Sequence, residues 1–295
     1  MGYGGYSYEA HRAITAARGG KSTQAVFSQR EIHPLMNPHG IGFRESRDSE
    51  DHPRSLAIAF ALDVSGSMGT IPDLIARHEM PGFMKLLMDC GVEDPQLLFM
   101  AFTDTGSDRT PLQVGQFEST AELMDQWLTR SWLIGGGRSP FESYELPIYL
   151  AARHTKIDCW EKRREKGYLF ITGDEPSYSV VGRNVVQQVF GETIPADIPL
   201  DAMIAEASER YEIFFLVPDP ERANRIRSFW EPYLGRRLIE MADATLTCPS
   251  AAAIIAVNEG LAELSDVSAR LTSAGTDARR AGAVQRSLEA WATNR

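Results

Sequence analysis

The sequence predicts an α/β protein: a doubly wound, mostly parallel six-stranded sheet with one antiparallel edge strand and helices on both faces. Three observations predict it. An unbroken apolar run over residues 56–62, with shorter ones at 168–172 and 213–217, reads as strands buried on both faces of a sheet. Stretches of helical spacing separate these runs, and strands that alternate with helices need crossover connections and a parallel sheet. The runs at 56–62 and 168–172 end in polar turns, at Asp63 to Ser67 and at Gly173-Asp174-Glu175-Pro176. Open α/β sheets carry their ligands at such strand ends.

Each element follows from a local signal. After the first strand, 56–62, helical spacing runs through Ile71, Leu74, Ile75 and His78 and is interrupted at Pro81-Gly82. It resumes at Phe83, Met84, Leu86 and Leu87, and Gly91 stops it. The second strand is 96–102, and 112–117 returns as the antiparallel edge strand. Ser119 caps a helix reaching about residue 130, with Glu122 completing a capping box. A glycine loop at 134–138 precedes a helix expected over 141–154. The fourth strand, 168–172, is followed by helices over 180–190 and 199–210. The fifth strand is 213–217, with a helix over 221–234. The last strand is 237–240 or 245–247, before a helix over 250–264.

The flanks differ in character. Residues 1–54 lack a sustained apolar period and carry two Gly-Gly pairs, His33-Pro34, Asn37-Pro38 and a charged run over 44–51. They read as an extended N-terminal arm with one short helix around 8–18. Arg12, Arg18, Lys21 and Arg30 could hold an acidic partner, although a solvated or docked arm is the simpler reading. The domain proper covers 55–264. Residues 265–295 form a C-terminal helical appendage, with apolar spacing at Val267, Leu271, Val284, Leu288 and Trp291.

The chain has 295 residues, 43% of them hydrophobic, and a net charge of −10. A general nucleic-acid binder would show a basic face, so nucleic acid is not an expected partner. No apolar run reaches the roughly 18 residues of a membrane span. The start has neither the basic nor the apolar region of an export signal. Cys90, Cys159 and Cys248 are scattered without metal-ligand spacing and read as reduced thiols. A cytoplasmic protein is the expectation.

Asp63, Ser65 and Ser67 put one carboxylate and two hydroxyls at the carboxyl end of a central strand. Hard oxygen donors there suit Mg²⁺, or Mn²⁺ or Ca²⁺ in its place. The order of strands reverses between the first and fourth strands, so Asp174 lies across the same crevice. Two carboxylates held close together repel unless a cation lies between them.

The Asp63-x-Ser65-x-Ser67 stretch, set between a buried strand and a helix, resembles the metal-ion-dependent adhesion site of the von Willebrand factor A family, in its intracellular prokaryotic form. The resemblance covers about residues 55–264 and implies ligands from three loops. The first loop matches at all three positions. Asp174 matches the third-loop aspartate, although Thr172-Gly173-Asp174 stands where the family has Thr-Asp-Gly. The second loop departs more: Gly136-Gly137-Arg138-Ser139-Pro140-Phe141-Glu142 replaces a Gly-Gly pair followed by threonine. It resembles the variant of integrin β subunits and makes Glu142 and Ser139 the candidates, Glu142 slightly ahead. A glutamate there would tighten cation binding.

The resemblance further implies a metal-dependent protein-binding module rather than an enzyme, with a partner's carboxylate completing the ion's coordination. Intracellular members often work beside AAA+ ATPases or in multi-component systems, so an adaptor or subunit role is expected. The alternative is a Mg²⁺-dependent phosphohydrolase of the haloacid dehalogenase type, which also ends its first strand in aspartate. That chemistry needs a second carboxylate two residues later, and position 65 is serine. No histidine or lysine is placed to act as a base.

Weaker signals remain. His78 and His154 read as core or boundary histidines. Gly20-Lys21-Ser22 lacks the glycine a phosphate loop needs at Thr15. Asp104 and Asp108 follow the second strand at the same sheet edge. They are read as solvating loop groups rather than as supports for the ligands.

Overall fold

The computed structural model describes residues 4–66, 68, 70–135 and 139–293. Its central sheet has six strands: β1 Ser55–Asp63, β2 Asp94–Phe102, β3 Leu112–Val114, β4 Gly167–Thr172, β5 Tyr211–Val217 and β6 Leu238–Glu240. Their order is β6-β5-β4-β1-β2-β3, and only β3 runs antiparallel to its neighbour. The chain winds outward from β1 in both directions, so the switch point lies between β1 and β4, as the pattern predicts. Leu62 pairs with Thr172, and Asp63 pairs with Phe102. The turns after β1, β2 and β4 therefore leave the sheet at one level.

Every residue of β1 is buried, and its two faces are built differently. Ile58, Phe60 and Leu62 join one core and Ala57, Ala59 and Ala61 the other. Phe60 packs on Phe83, Phe99 and Phe170 with ring centroids 5.4, 5.8 and 5.4 Å away. Full burial of one such side chain contributes about 1.5–3 kcal/mol. The alanine face shares its core with the helices Glu145–Arg153, Arg183–Phe190, Leu200–Ser208 and Pro220–Leu234.

On the phenylalanine face, the helix Thr247–Asn258 is buried from Thr247 through Val257. A helix apolar all round needs cover on every side. Met80–Asp89 and Ala278–Ala292 pack against it. Val267, Leu271, Val284, Leu288 and Trp291 of the tail are buried in the same core. At the other terminus the helix Tyr8–Ala16 packs on Met80–Asp89 and Ala121–Thr129. Arg18 donates to the Ala76 carbonyl at 2.9 Å and pairs with Asp125.

Several local expectations change. Pro81 does not interrupt the helical stretch; it stands near the start of Met80–Asp89, which continues directly from the turn before it. The irregularity is a π-helical turn at Ile75–Glu79, whose extra residue rotates the helical face and leaves His78 exposed. His154 is buried and stacks on Phe190. The cap near residue 120 is Thr120, whose hydroxyl accepts the Leu123 N–H at 3.4 Å, while Ser119 donates to the Gly4 carbonyl. Residues 180–190 divide into a strand, Val180–Val181, paired with Ile198–Pro199, and a helix, Arg183–Phe190. The last strand is Leu238–Glu240, and residues 244–246 form a 3₁₀ turn. Arg44–Ser46 pairs in parallel with Thr155–Ile157, a ribbon with no signal in the pattern. The helix expected from 141 begins only at Glu145. All three cysteines are buried and free. No described helix is long and apolar enough to cross a membrane.

Candidate metal centre

Asp63 ends β1 and is fully buried. Its Oδ1 accepts the Ser65 N–H at 2.8 Å, and the Ser65 side chain bonds the same carboxylate. Its Oδ2 accepts the Tyr144 hydroxyl at 3.2 Å. Ser65 is thus folded back onto the aspartate it follows. Ser67, the third residue of the motif, lies outside the described residues.

The third loop is organised around Tyr144. A Cβ at position 173 would lie 2.3 Å from both Cε1 and the hydroxyl of Tyr144, so only glycine admits the phenol there. With Gly173 in place, the Tyr144 oxygen accepts the N–H groups of Asp174 and Glu175 at 3.1 and 3.2 Å. This explains why the turn reads Thr-Gly-Asp. Asp174 is buried, and its Oδ2 accepts Nη1 of Arg222 at 2.9 Å. Arg222 stands in the first turn of Pro220–Leu234. Its Nε also meets Oδ2 of the capping residue Asp219 at 2.9 Å.

In the second loop Glu142 precedes the helix instead of lying in it. Its N–H donates to the Pro176 carbonyl at 3.1 Å, and a bridge to Ser177 ties this loop to the third. Glu142 is 2% exposed, and its Oε2 has no hydrogen-bond partner. Ser139 instead accepts the Phe141 N–H at 3.1 Å and bonds Tyr178. Glu142 lies within electrostatic reach of Asp63 and Asp174. Gly136, Gly137 and Arg138 lie outside the described residues.

Asp104 departs from the solvated reading. It is buried; Oδ1 accepts the Gly106 N–H at 2.9 Å and the Tyr178 hydroxyl at 2.6 Å, and Oδ2 has no partner. Oδ2 of Asp108 is likewise buried and unpartnered. Ser143 fastens this loop to the second by accepting the Thr105 N–H at 2.9 Å and donating to its hydroxyl at 3.0 Å. The sequence reading passes over Tyr144, Tyr178 and Arg222. Only Gly173 hinted at a large neighbour, and nothing near Arg222 in the chain points across the crevice.

The electrostatics follow from this crowding. Burial, with the Asp174 charge adding to it, pushes the Asp63 carboxyl up to about 7 against the opposing Ser65 bonds. Burial and then Asp63, Asp104, Asp108 and Asp174 push Glu142 up to about 9. Burial takes neighbouring Glu145, which accepts the Ser177 hydroxyl at 3.1 Å, to about 8. Among the described residues, no three His, Cys, Asp or Glu side chains are close enough to grip a metal ion as they stand. The donor chemistry nevertheless fits a hard divalent cation. The donors are oxygens, and Oε2 of Glu142 and Oδ2 of Asp104 are buried without a partner.

No protein-family model matches the chain, and no curated protein matches it. Among solved structures, the open conformation of the pilus adhesin SpaC from Lactobacillus rhamnosus GG is 11% identical, with a TM-score of 0.46 over 74% of this chain and 31% of that one. A von Willebrand factor type A structure from Catenulispora acidiphila is 12% identical, with a TM-score of 0.37 over 68% of this chain and 42% of that one. Proximal thread matrix protein 1 from the mussel byssus is 12% identical, with a TM-score of 0.34 over 56% and 38%. The match thus spans well under half of each of those chains. The architecture rests on the strand order itself.

Proposed function

We propose that the crevice is a divalent-cation-dependent protein-binding site of the von Willebrand A kind, carried by a module that performs no turnover. The observation that carries this reading is Glu142, 2% exposed, with one oxygen unpartnered and four other carboxylates acting on it. Buried charge of one sign is costly unless a counter-charge completes it. Asp63, Ser65, Glu142 and Asp174, with Ser67, would hold Mg²⁺, and the same donors suit Mn²⁺ or Ca²⁺. The bound ion would supply an open position for a carboxylate offered by a protein partner.

The chain's own residues prepare that surface. Tyr144 fixes Asp63 against the third loop, and Ser143 holds the second loop to the one after β2. Phe141, 39% exposed, packs on Tyr178 and gives the crevice an apolar rim. An adaptor or subunit role in a multi-protein system, with an AAA+ ATPase as one candidate partner, follows the same reading and rests on the loop resemblance. The hydrogen bonds on both Asp63 oxygens, together with serine at position 65, favour binding over a phosphohydrolase with Asp63 as nucleophile.

Affinity capture from lysate, with and without chelator, tests the proposal. The wild type should recover partners that Asp63→Ala loses, and chelation should release them. Recovery of the same partners by Asp63→Ala or in excess chelator would overturn it. A generic aryl phosphate assay with Mg²⁺ checks the enzymatic alternative.

A further inference from the structure

Arg222 is the charged group that the metal reading leaves without a role. Its guanidinium spans two carboxylates, with Nη1 on Asp174 Oδ2 at 2.9 Å and Nε on Asp219 Oδ2 at 2.9 Å. The same Nη1 lies 3.3 Å from Sδ of Met68, which belongs to the first loop. Arg222 therefore lies across the mouth between the first and third loops, on an oxygen that a bound ion would use.

The two ends of this bridge differ. The Asp174 side chain is 2% exposed and cannot turn to water, whereas those of Arg222 and Asp219 are 29% and 34% exposed. Asp219 is also the cap of the helix that carries Arg222, and its Oδ1 accepts the Arg222 N–H at 2.9 Å. Leaving Asp174 would not strand the guanidinium, because its Asp219 contact persists and solvent is at hand. A divalent ion arriving at Asp174 would also repel the guanidinium. The geometry suits exchange of one cation for another.

We propose that Arg222 is a resident counter-cation of the crevice, which a divalent ion must displace from Asp174 and which thereby sets how tightly the site takes metal. The inference rests on the metal reading of the crevice and adds the residue that tunes it. Asp219 is the holding point to which the displaced side chain withdraws.

Calorimetric titration of the full chain with Mg²⁺, after chelation, tests this with two variants that should move in opposite directions. Arg222→Gln removes the competitor and should bind Mg²⁺ on the order of tenfold tighter than wild type. Asp219→Asn keeps a capping side chain but removes the withdrawal site, and should bind more weakly. Thermal unfolding gives a second readout: in chelator Arg222→Gln should melt below wild type, and Mg²⁺ should raise its midpoint by more. If wild type binds Mg²⁺ and Arg222→Gln binds no tighter, Arg222 is only a support for Asp174 and the inference is overturned while the metal site stands. If neither protein binds Mg²⁺ at millimolar concentration, the metal site falls and the inference with it. Should Arg222→Gln not fold, equal affinity of Asp219→Asn and wild type overturns the inference by itself.

Discussion

The Tyr144 hydroxyl donates to Asp63 Oδ2 across 3.2 Å, and the same oxygen receives the N–H groups that begin the loop after β4. One phenol therefore sets the distance between the two carboxylate-bearing loops at the switch point. Tyr144 is fully buried, and the rings of Phe102, Phe215 and Trp230 hold it at centroid separations of 4.9, 5.1 and 5.3 Å. Its position is set by packing and not by the loops it joins.

Tyr144→Phe should keep the ring packing but strand one carboxylate oxygen and two amides. The expected cost is about 1–3 kcal/mol in urea unfolding, with secondary structure unchanged. Mg²⁺ affinity should fall with it. Wild-type stability would show that the phenol is not the fastening.

Gly173→Ala should be at least as damaging, because its Cβ meets the ring as well as the hydroxyl of Tyr144 at 2.3 Å. A loss of about 1–3 kcal/mol or more is expected from forced overpacking. Adding Tyr144→Phe should not restore stability, since the clash with Cε1 remains. A double variant as stable as Tyr144→Phe alone would contradict this.

The metal-free protein should lose stability as pH rises. Asp63, Glu142 and Glu145 have folded values of about 7, 9 and 8, above those of ordinary carboxyls. Raised groups favour the fold fully only below the unfolded value, and that contribution drains away as pH climbs through the folded one. Denaturation in chelator should therefore show falling stability between about pH 4.5 and about pH 9. Excess Mg²⁺ should flatten the slope. Equal stability in chelator at both ends of that range would refute the account.

Glu142→Gln should separate folding from binding. It keeps the shape of a side chain that burial, and then four carboxylates, disfavour as an anion. In chelator at about pH 9 it should gain on the order of 1 kcal/mol over wild type, while Mg²⁺ affinity drops about tenfold. Loss of both stability and affinity would mean that Glu142 supports the loop by other means.

Arg18→Ala tests the arm. Arg18 is 9% exposed, donates to the Ala76 carbonyl at 2.9 Å and pairs with Asp125. Its removal leaves Asp125 mostly buried without that cation, which should cost about 1–3 kcal/mol. Limited proteolysis should then cut faster between residues 17 and 30. An unchanged cleavage rate would show that other contacts hold the arm.

Much of this architecture could be read along the chain. The run from Leu56 to Leu62 was legible as a strand because burial on both faces demands an unbroken apolar stretch. Its last residue, Asp63, marked the ligand-bearing edge because polarity returns where the sheet ends. The placement of Asp174 across the crevice followed from strand order. What stayed hidden depended on contacts between residues far apart in sequence. Asp104 looked like a loop residue in water until the Tyr178 hydroxyl and its own turn enclosed it.

By itself, then, the sequence determined the winding of the sheet and the strand end where oxygen donors gather, since burial periodicity and chain polarity are local properties. Only the tertiary structure decided that Gly173 exists to admit Tyr144, that Glu142 keeps an unpartnered oxygen among carboxylates, and that Arg222 rests on Asp174. Those relationships join positions far apart in the chain: Tyr144 and Asp174 are 30 residues apart, Arg222 and Asp174 48, and Tyr144 and Asp63 81. They arise from which side chains the packed helices and loops bring to one crevice, and no local pattern encodes that.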